Sequence, residues 1–305
     1  MALTIDDLRE QTSAPIGDRP AILTRHMAVI GSSGAGKTTW AAGRADDTKR
    51  LLGQDSDDLL EVLCVVGESQ ALGRIREANP RAHVVVVNDV DDIAEVQNWL
   101  VTEVCVTGNA GWRPDLIVVD SVTEMCRMID DRLTKGGKDD QDWGYWGKYK
   151  AACMRLVRKF RDLPNVTVIA TFFDDESKDG KSRGLDMGAR KSANGMAGLF
   201  DLCLWAVMVE REGGEVYALR TKPGVQSGQR LVQGKGHPVL GTWVDPSVYS
   251  PARCLHAMNT WVKGESQPVG KQDDWDATAE KIAAASKLKA KAKAKAKDKD
   301  KDKGK

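Results

Sequence analysis

Gly31-Ser32-Ser33-Gly34-Ala35-Gly36-Lys37-Thr38 is the stretch on which the reading of this chain turns. It fits G-x-x-x-x-G-K-[ST], the phosphate-binding loop, and each fixed position has a physical task. The glycines let the backbone turn tightly, so that successive N–H groups point inward at a phosphate. Lys37 is spaced to reach the β- and γ-phosphates of a nucleoside triphosphate, and the Thr38 hydroxyl to ligate Mg²⁺. The expected cradle is therefore Gly31, Ser32, Ser33, Gly34, Ala35, Gly36, Lys37 and Thr38, with Thr39 just beyond. Immediately before it, Met27-Ala28-Val29-Ile30 reads as a short buried strand, and Thr39 to Ala45 opens a helix predicted over 38–50. That strand–loop–helix setting is what the motif requires. The alternative is a Gly/Ser-rich turn that binds nothing.

Further out, short β-branched runs alternate with amphipathic segments. Strands are predicted at 61–66, 83–87, 115–119, 165–170, 202–208 and 215–220, and helices near 91–104, 121–133 and 146–162. Nearly continuous apolar runs separated by helices indicate an α/β fold, a central mostly parallel sheet covered on both faces. The last two runs, joined by Glu210-Arg211-Glu212-Gly213-Gly214, read as an antiparallel hairpin at one edge. The domain plan is a lead-in at 1–20, one folded domain at 21–262, a linker with a short helix at 263–285, and a Lys-rich tail at 286–305.

Composition narrows the class. The chain of 305 residues is 41% hydrophobic and 29% charged, with a mean hydropathy of −0.40. No apolar stretch approaches the ~20 residues needed to span a bilayer. The start, MALTIDDLRE, lacks the basic and apolar regions of a secretory signal. The six cysteines are scattered without a C-x-x-C pair, which predicts buried free thiols in a cytoplasmic protein. The net charge of +1 hides a tail carrying ten lysines and three aspartates, which leaves the remainder acidic at about −6. Lysine alternating with Ala or Asp can contact phosphates but cannot read bases. A solubilising terminus is its other reading.

Two acids complete the expected site. Leu116-Ile117-Val118-Val119-Asp120-Ser121 is an apolar strand ending in a carboxylate, where Asp120 would face Thr38 across a Mg²⁺ ion. An N-cap for the helix at 121–133 is the competing role. Val65-Val66-Gly67-Glu68 places Glu68 at the carboxyl edge of the sheet, where open α/β folds bind ligands. It is the acid available to orient water, or else a surface glutamate.

The phosphate loop, Glu68, Leu116 to Ser121, and the Trp-Gly segment leading to Arg161-Asp162-Leu163-Pro164-Asn165-Val166 resemble a RecA-like P-loop ATPase. More narrowly, residues 22–260 are similar to the phage RecA-like single-strand annealing proteins (the Sak group) within the wider AAA-type families. The resemblance implies ATP with Mg²⁺ as cofactors and Lys37, Glu68 and Asp120 as the catalytic set. It implies a γ-phosphate sensor at Thr171, here followed by Phe172-Phe173 in place of an amide donor. It also implies a homo-oligomer with ATP at subunit interfaces, completed by a cation from the neighbour, matched to Arg230 or Lys235. Single-stranded DNA, and a single-strand-binding protein, are the implied partners, in the host bacterial cytoplasm if phage-encoded.

Two segments could meet DNA. Lys135 and Lys138 precede Trp143-Gly144-Tyr145-Trp146, where Trp143 and Trp146 could stack on bases or staple the following helix to the sheet. Residues 174–196 read as a long glycine-rich loop, basic over 181–191 through Lys181, Arg183, Arg190 and Lys191. Two other function classes remain open on sequence alone: a nucleotide-gated interaction module indifferent to DNA, and a P-loop phosphotransferase.

Overall fold

The computed structural model describes residues 26–52, 54–105, 112–134, 143–187, 195–211, 214–226 and 229–262. The lead-in, the linker, the Lys-rich tail, Lys135, Lys138, Arg190 and Lys191 lie outside the described residues, as does the side chain of Trp143.

Strand β1 (Met27–Ile30) ends in the phosphate loop, which opens helix α1 (Lys37–Ala41). Then come β2 (Val62–Val66), α2 (Ala71–Ala78), β3 (His83–Val86) and α3 (Val90–Trp99), which runs into a π-helical turn, Leu100–Cys105. Strand β4 (Leu116–Asp120) leads to α4 (Val122–Thr134), and α5 (Trp143–Arg161) to β5 (Thr167–Phe172). Two short strands follow, β6 (Asp174–Glu176) and β7 (Ser182–Leu185), then the long hairpin β8 (Leu202–Arg211) and β9 (Gly214–Arg220). The remainder is β10 (Gly224–Gln226), β11 (Gln229–Leu231), β12 (Trp243–Val244) and α6 (Pro251–Val262).

Eight strands form the main sheet in the order β12-β9-β8-β1-β5-β4-β2-β3. The six from β8 to β3 are mutually parallel, and β9 turns back antiparallel at the edge. The predicted α/β class and its edge hairpin are therefore present. Side-chain alternation divides the core in two. Ala28, Ile30, Leu63, Val65, Ile117 and Val119 face the layer built by α3, α4 and α5. Met27, Val29, Cys64, Val66, Leu116 and Val118 face α1, α2 and α6 on the other side. Both faces are buried, so most strand positions are apolar, which is why the strands appear in the sequence as nearly continuous β-branched runs.

Two expectations need correction. The helix predicted over 38–50 stops at Ala41, because Gly43 takes φ +72° and turns the chain out. The Asn79 side chain donates to the Ala42 carbonyl at 3.0 Å and satisfies that end. Residues 174–185 are not an irregular loop. They form the β6–β7 hairpin of a second sheet, ordered β10-β11-β7-β6. Strand β11 pairs in parallel with β7, so a segment more than forty residues on closes this sheet.

Five of the cysteines, Cys64, Cys126, Cys153, Cys203 and Cys254, are buried free thiols, as expected. Among the described residues, no helix is long and apolar enough to cross a membrane.

Candidate functional site

Parallel strands deliver their carboxyl ends to one edge of the sheet, and the loop after β1 sits there. Gly31 donates to the Phe172 carbonyl of β5 at 3.2 Å, so the loop leaves directly from the ladder. A Cβ at Gly31 would lie 2.4 Å from the Ala206 carbonyl oxygen of β8, so only glycine fits. Gly34 and Gly36 take φ +79° and +76°, the left-handed turn that curls the loop. No side chain caps α1 at Gly36, which leaves the first-turn N–H groups open to an anion.

Lys37 is buried, and its ammonium donates to the loop's own carbonyls, Gly31 at 2.7 Å and Ser32 at 2.8 Å. It also lies 4.7 Å from the Phe173 ring centroid. Burial pulls its pKa down to about 8, against the attraction of Asp120, Asp174 and Glu68. A phosphate would supply the negative charge that this desolvated cation lacks.

Asp120 ends β4, and β5 separates it from β1. Its carboxylate accepts from Thr38 Oγ1 at 2.8 Å on one oxygen and from Thr171 Oγ1 on the other. The loop threonine, the strand-terminal aspartate and the threonine of the intervening strand thus converge. The helix-capping role falls elsewhere: Ser121 Oγ accepts from the Glu124 N–H at 3.2 Å, which frees Asp120 for the site. The Asp120–Ser121 peptide is cis.

Glu68 lies two residues beyond β2, whose last residue, Val66, is in register with Asp120. Its carboxyl pKa is raised, first by burial and then by the charges of Glu124 and Asp120. It lines a small enclosed space of about 80 Å³ together with Lys37, Thr38, Gln70, Arg74 and Asp120. The family model of the AAA domain matches residues 24–238, which span this site. The chain belongs to the AAA domain family. No curated protein matches it. As an AAA domain it is a nucleotide-binding P-loop ATPase.

Beside the phosphate space of this AAA domain opens a cleft of about 780 Å³, with Thr39, Trp40, Arg44, Arg74, Tyr217 and Asp245 in its walls. That volume suits a nucleoside. The Tyr217 ring approaches within 3.2 Å of where a Gly36 Cβ would be, and it is 49% exposed toward the cleft. The far wall, Asp245 to Ser250, lies beyond the family match. It is tied to α1 by Trp40 Nε1, which donates to the Tyr249 carbonyl at 2.7 Å.

Other predicted residues are spread more widely. Thr39 is on α1 and borders both spaces. Lys181 and Arg230 are exposed on the second sheet, where Arg230 N–H donates to the Lys181 carbonyl at 2.8 Å. Arg183 is taken by Asp174 at 2.5 Å. Lys235 Nζ donates to the Phe200 carbonyl at 2.7 Å, just before the amino end of β8. Tyr145 is buried and stacks in parallel with Tyr149, so it is the staple, whereas Trp146 is 40% exposed. Sequence reading missed Glu124, Arg74 and Tyr217. Glu124 has a signal, an acid one helical turn after the strand-terminal Asp-Ser; Tyr217, on an edge strand, has none.

Proposed function

We propose that this AAA domain is an ATP-hydrolysing switch for single-stranded DNA, of the RecA-like single-strand annealing kind, acting in phage recombination or replication. The observation that carries the nucleotide half is the convergence of Lys37, Thr38 and Thr171 on one anion-binding edge around Asp120. Thr38 and Asp120 would hold Mg²⁺, which supplies charge neutralisation at the phosphates when bound. Lys37 binds the terminal phosphates in place of its present carbonyl partners. Glu68, its proton affinity raised by its surroundings, accepts the proton of the attacking water. Thr171, on the strand between the two motifs, senses the terminal phosphate through Asp120. Tyr217 stacks on the base in the larger cleft.

The DNA half draws support from the second sheet, which leaves the carboxyl end of β5 only a few residues after Thr171. It carries the exposed cations Lys178, Lys181 and Arg230. A change at Thr171 therefore has a short covalent path to them. In a homo-oligomer, exposed Arg230 is better suited than Lys235 to complete a neighbour's site, because the Lys235 ammonium is already engaged. The pairing of Arg183 with Asp174 favours a second reading, an interaction module gated by nucleotide in which DNA plays no part.

Fluorescence anisotropy of labelled single-stranded DNA separates the two. It is measured without nucleotide, with ADP and with a non-hydrolysable ATP analogue, for the full chain, Lys37→Ala and a truncation before Ser286. Binding that needs the analogue, is lost in Lys37→Ala and survives the truncation is the expected result. Binding that ignores nucleotide and disappears with the tail would leave the second reading.

A further inference from the structure

Helix α5 carries Lys148, Lys150, Arg155, Arg158, Lys159 and Arg161 and contains no Asp or Glu. Its buried stripe is Tyr145, Tyr149, Cys153, Leu156 and Phe160, so the cations fall on the outer side. Four of them, Lys150, Arg155, Arg158 and Lys159, line a groove of about 700 Å³ with Val101, Gly147 and Asp162. This groove is on the layer opposite α1 and α2 and shares no residue with the nucleotide clefts.

The charges here are unmatched. Arg50, Arg127, Arg132, Arg161, Arg183 and Arg253 each lie within 4 Å of a carboxylate. Among the described residues, no such pair engages Lys148, Lys150, Arg155, Arg158 or Lys159. One acid, Asp162, lines the groove and pairs with Arg161, and Glu103 lies on the π-helical turn that contributes Val101 to the wall. An array of like charges on one helix face is unfavourable by itself, and a polyanion relieves it.

The spacing and a nearby indole bear on which polyanion. From Lys150 to Lys159 the helix rises about 13.5 Å, so the four groove cations lie on average about 4.5 Å apart along its axis, of the same order as the roughly 3.4 Å charge spacing of one nucleic-acid strand. Trp146 precedes Gly147, which lines the groove, and is 40% exposed. Edge-to-face packing with Tyr145 and Tyr149, at 5.3 and 6.1 Å between ring centroids, holds it in place. An unpaired base can stack on such a fixed, partly open indole.

We propose that the outer groove of α5 binds single-stranded nucleic acid, its cations on the phosphates and Trp146 under a base. The proposal rests on the nucleic-acid half of the reading above but assigns the strand to a different surface from the second sheet or the tail.

The test uses the full chain and a labelled oligothymidine across a salt series. Combining Lys150→Gln, Arg155→Gln, Arg158→Gln and Lys159→Gln is expected to weaken binding at low salt by tenfold or more. It should also flatten the log–log salt slope by about 0.7 for each phosphate that is no longer neutralised. Affinity for an ATP analogue stays unchanged. Trp146→Ala weakens binding about five- to a hundredfold and Trp146→Phe restores most of it. If the fourfold variant does not fold, photocrosslinking of the unmodified chain to a halogenated oligonucleotide decides. Crosslinks on α5 support the groove, and crosslinks confined to other segments overturn it. Unaltered binding and slope in a folded fourfold variant also overturn it, leaving the second sheet or the tail as the binding surface. Equal displacement of the strand by polyglutamate overturns it in favour of an acidic protein partner. A chain that binds no single strand at low salt defeats this proposal and the DNA reading together, while the nucleotide site stands.

Discussion

Two glutamates flank strand β2 and live in opposite electrostatic conditions. Glu61, just before the amino end, accepts a hydrogen bond from Trp112 Nε1 at 2.8 Å and lies 3.4 Å from His83 Nε2. These partners, His83 first, hold its carboxyl down at about 2. Glu68, just past the carboxyl end, has its pKa raised by burial and by two neighbouring acids. One end of the strand has satisfied its acid and gains stability from it. The other holds an acid that is harder to ionise, at the same edge to which the parallel sheet brings Asp120 and the phosphate loop.

The largest effect that would break this contrast is on turnover. Glu68→Gln is expected to slow ATP hydrolysis about 10²- to 10⁴-fold, with nucleotide affinity within a few-fold and no loss of thermal stability. Unaltered phosphate release would move the role to Glu124, where Glu124→Gln is then the variant to measure. Next comes Lys37. Phosphate binding requires its protonated form, so affinity should be level below pH about 8. Above that it should weaken by up to about tenfold per unit, as read by titration calorimetry.

The amino end responds differently. Glu61→Gln should leave hydrolysis untouched and cost about 1–2 kcal/mol in urea unfolding, since charge-assisted hydrogen bonds disappear from a half-exposed site. Its pH signature has a definite sign. The folded value near 2 lies below the ordinary 4.5, so the contribution is full above 4.5 and is lost as pH falls through about 2. The urea midpoint of Glu61→Gln should therefore depend less on pH across that window. At the other end, hydrolysis should fall as pH drops through a value above the normal glutamate range, because Glu68 must be ionised to accept a proton. The smallest effect is at the base cleft. Tyr217→Ala should weaken ATP binding about two- to tenfold, and Tyr217→Phe hardly at all, because stacking needs the ring and not the hydroxyl.

Legibility followed burial. Strands β1 to β5 announce themselves because both faces of each are covered, and the α3 to α5 positions follow from amphipathic spacing. That the phosphate loop, Asp120 and Glu68 meet at one sheet edge was readable because their positions are fixed relative to strand ends. The second sheet was not: Ser182-Arg183-Gly184-Leu185 and Gln229-Arg230-Leu231 are short, polar and paired across a long sequence gap, so no local pattern marks them. The early end of α1 was overlooked because the Trp40-Ala41-Ala42 run is helix-forming and only the following Gly43 stops it. Tyr217 lay hidden for a different reason. Its place in the cleft comes from what the β8–β9 hairpin is placed against, and a strand's own alternation does not encode that.

Strand β1 is central, yet its neighbours are β5 and β8, which begin at residues 167 and 202. During synthesis it emerges with nothing to pair with. At about 5–20 residues per second, the ribosome needs on the order of ten seconds to supply β5, and longer for β8. The tie from Trp40 to Tyr249 comes later still. The phosphate loop, although it precedes these partners in the chain, is thus among the later parts of the domain to take shape. A nascent chain that stops short of Asp245 would carry the whole phosphate-loop sequence and lack one wall of the cleft beside it.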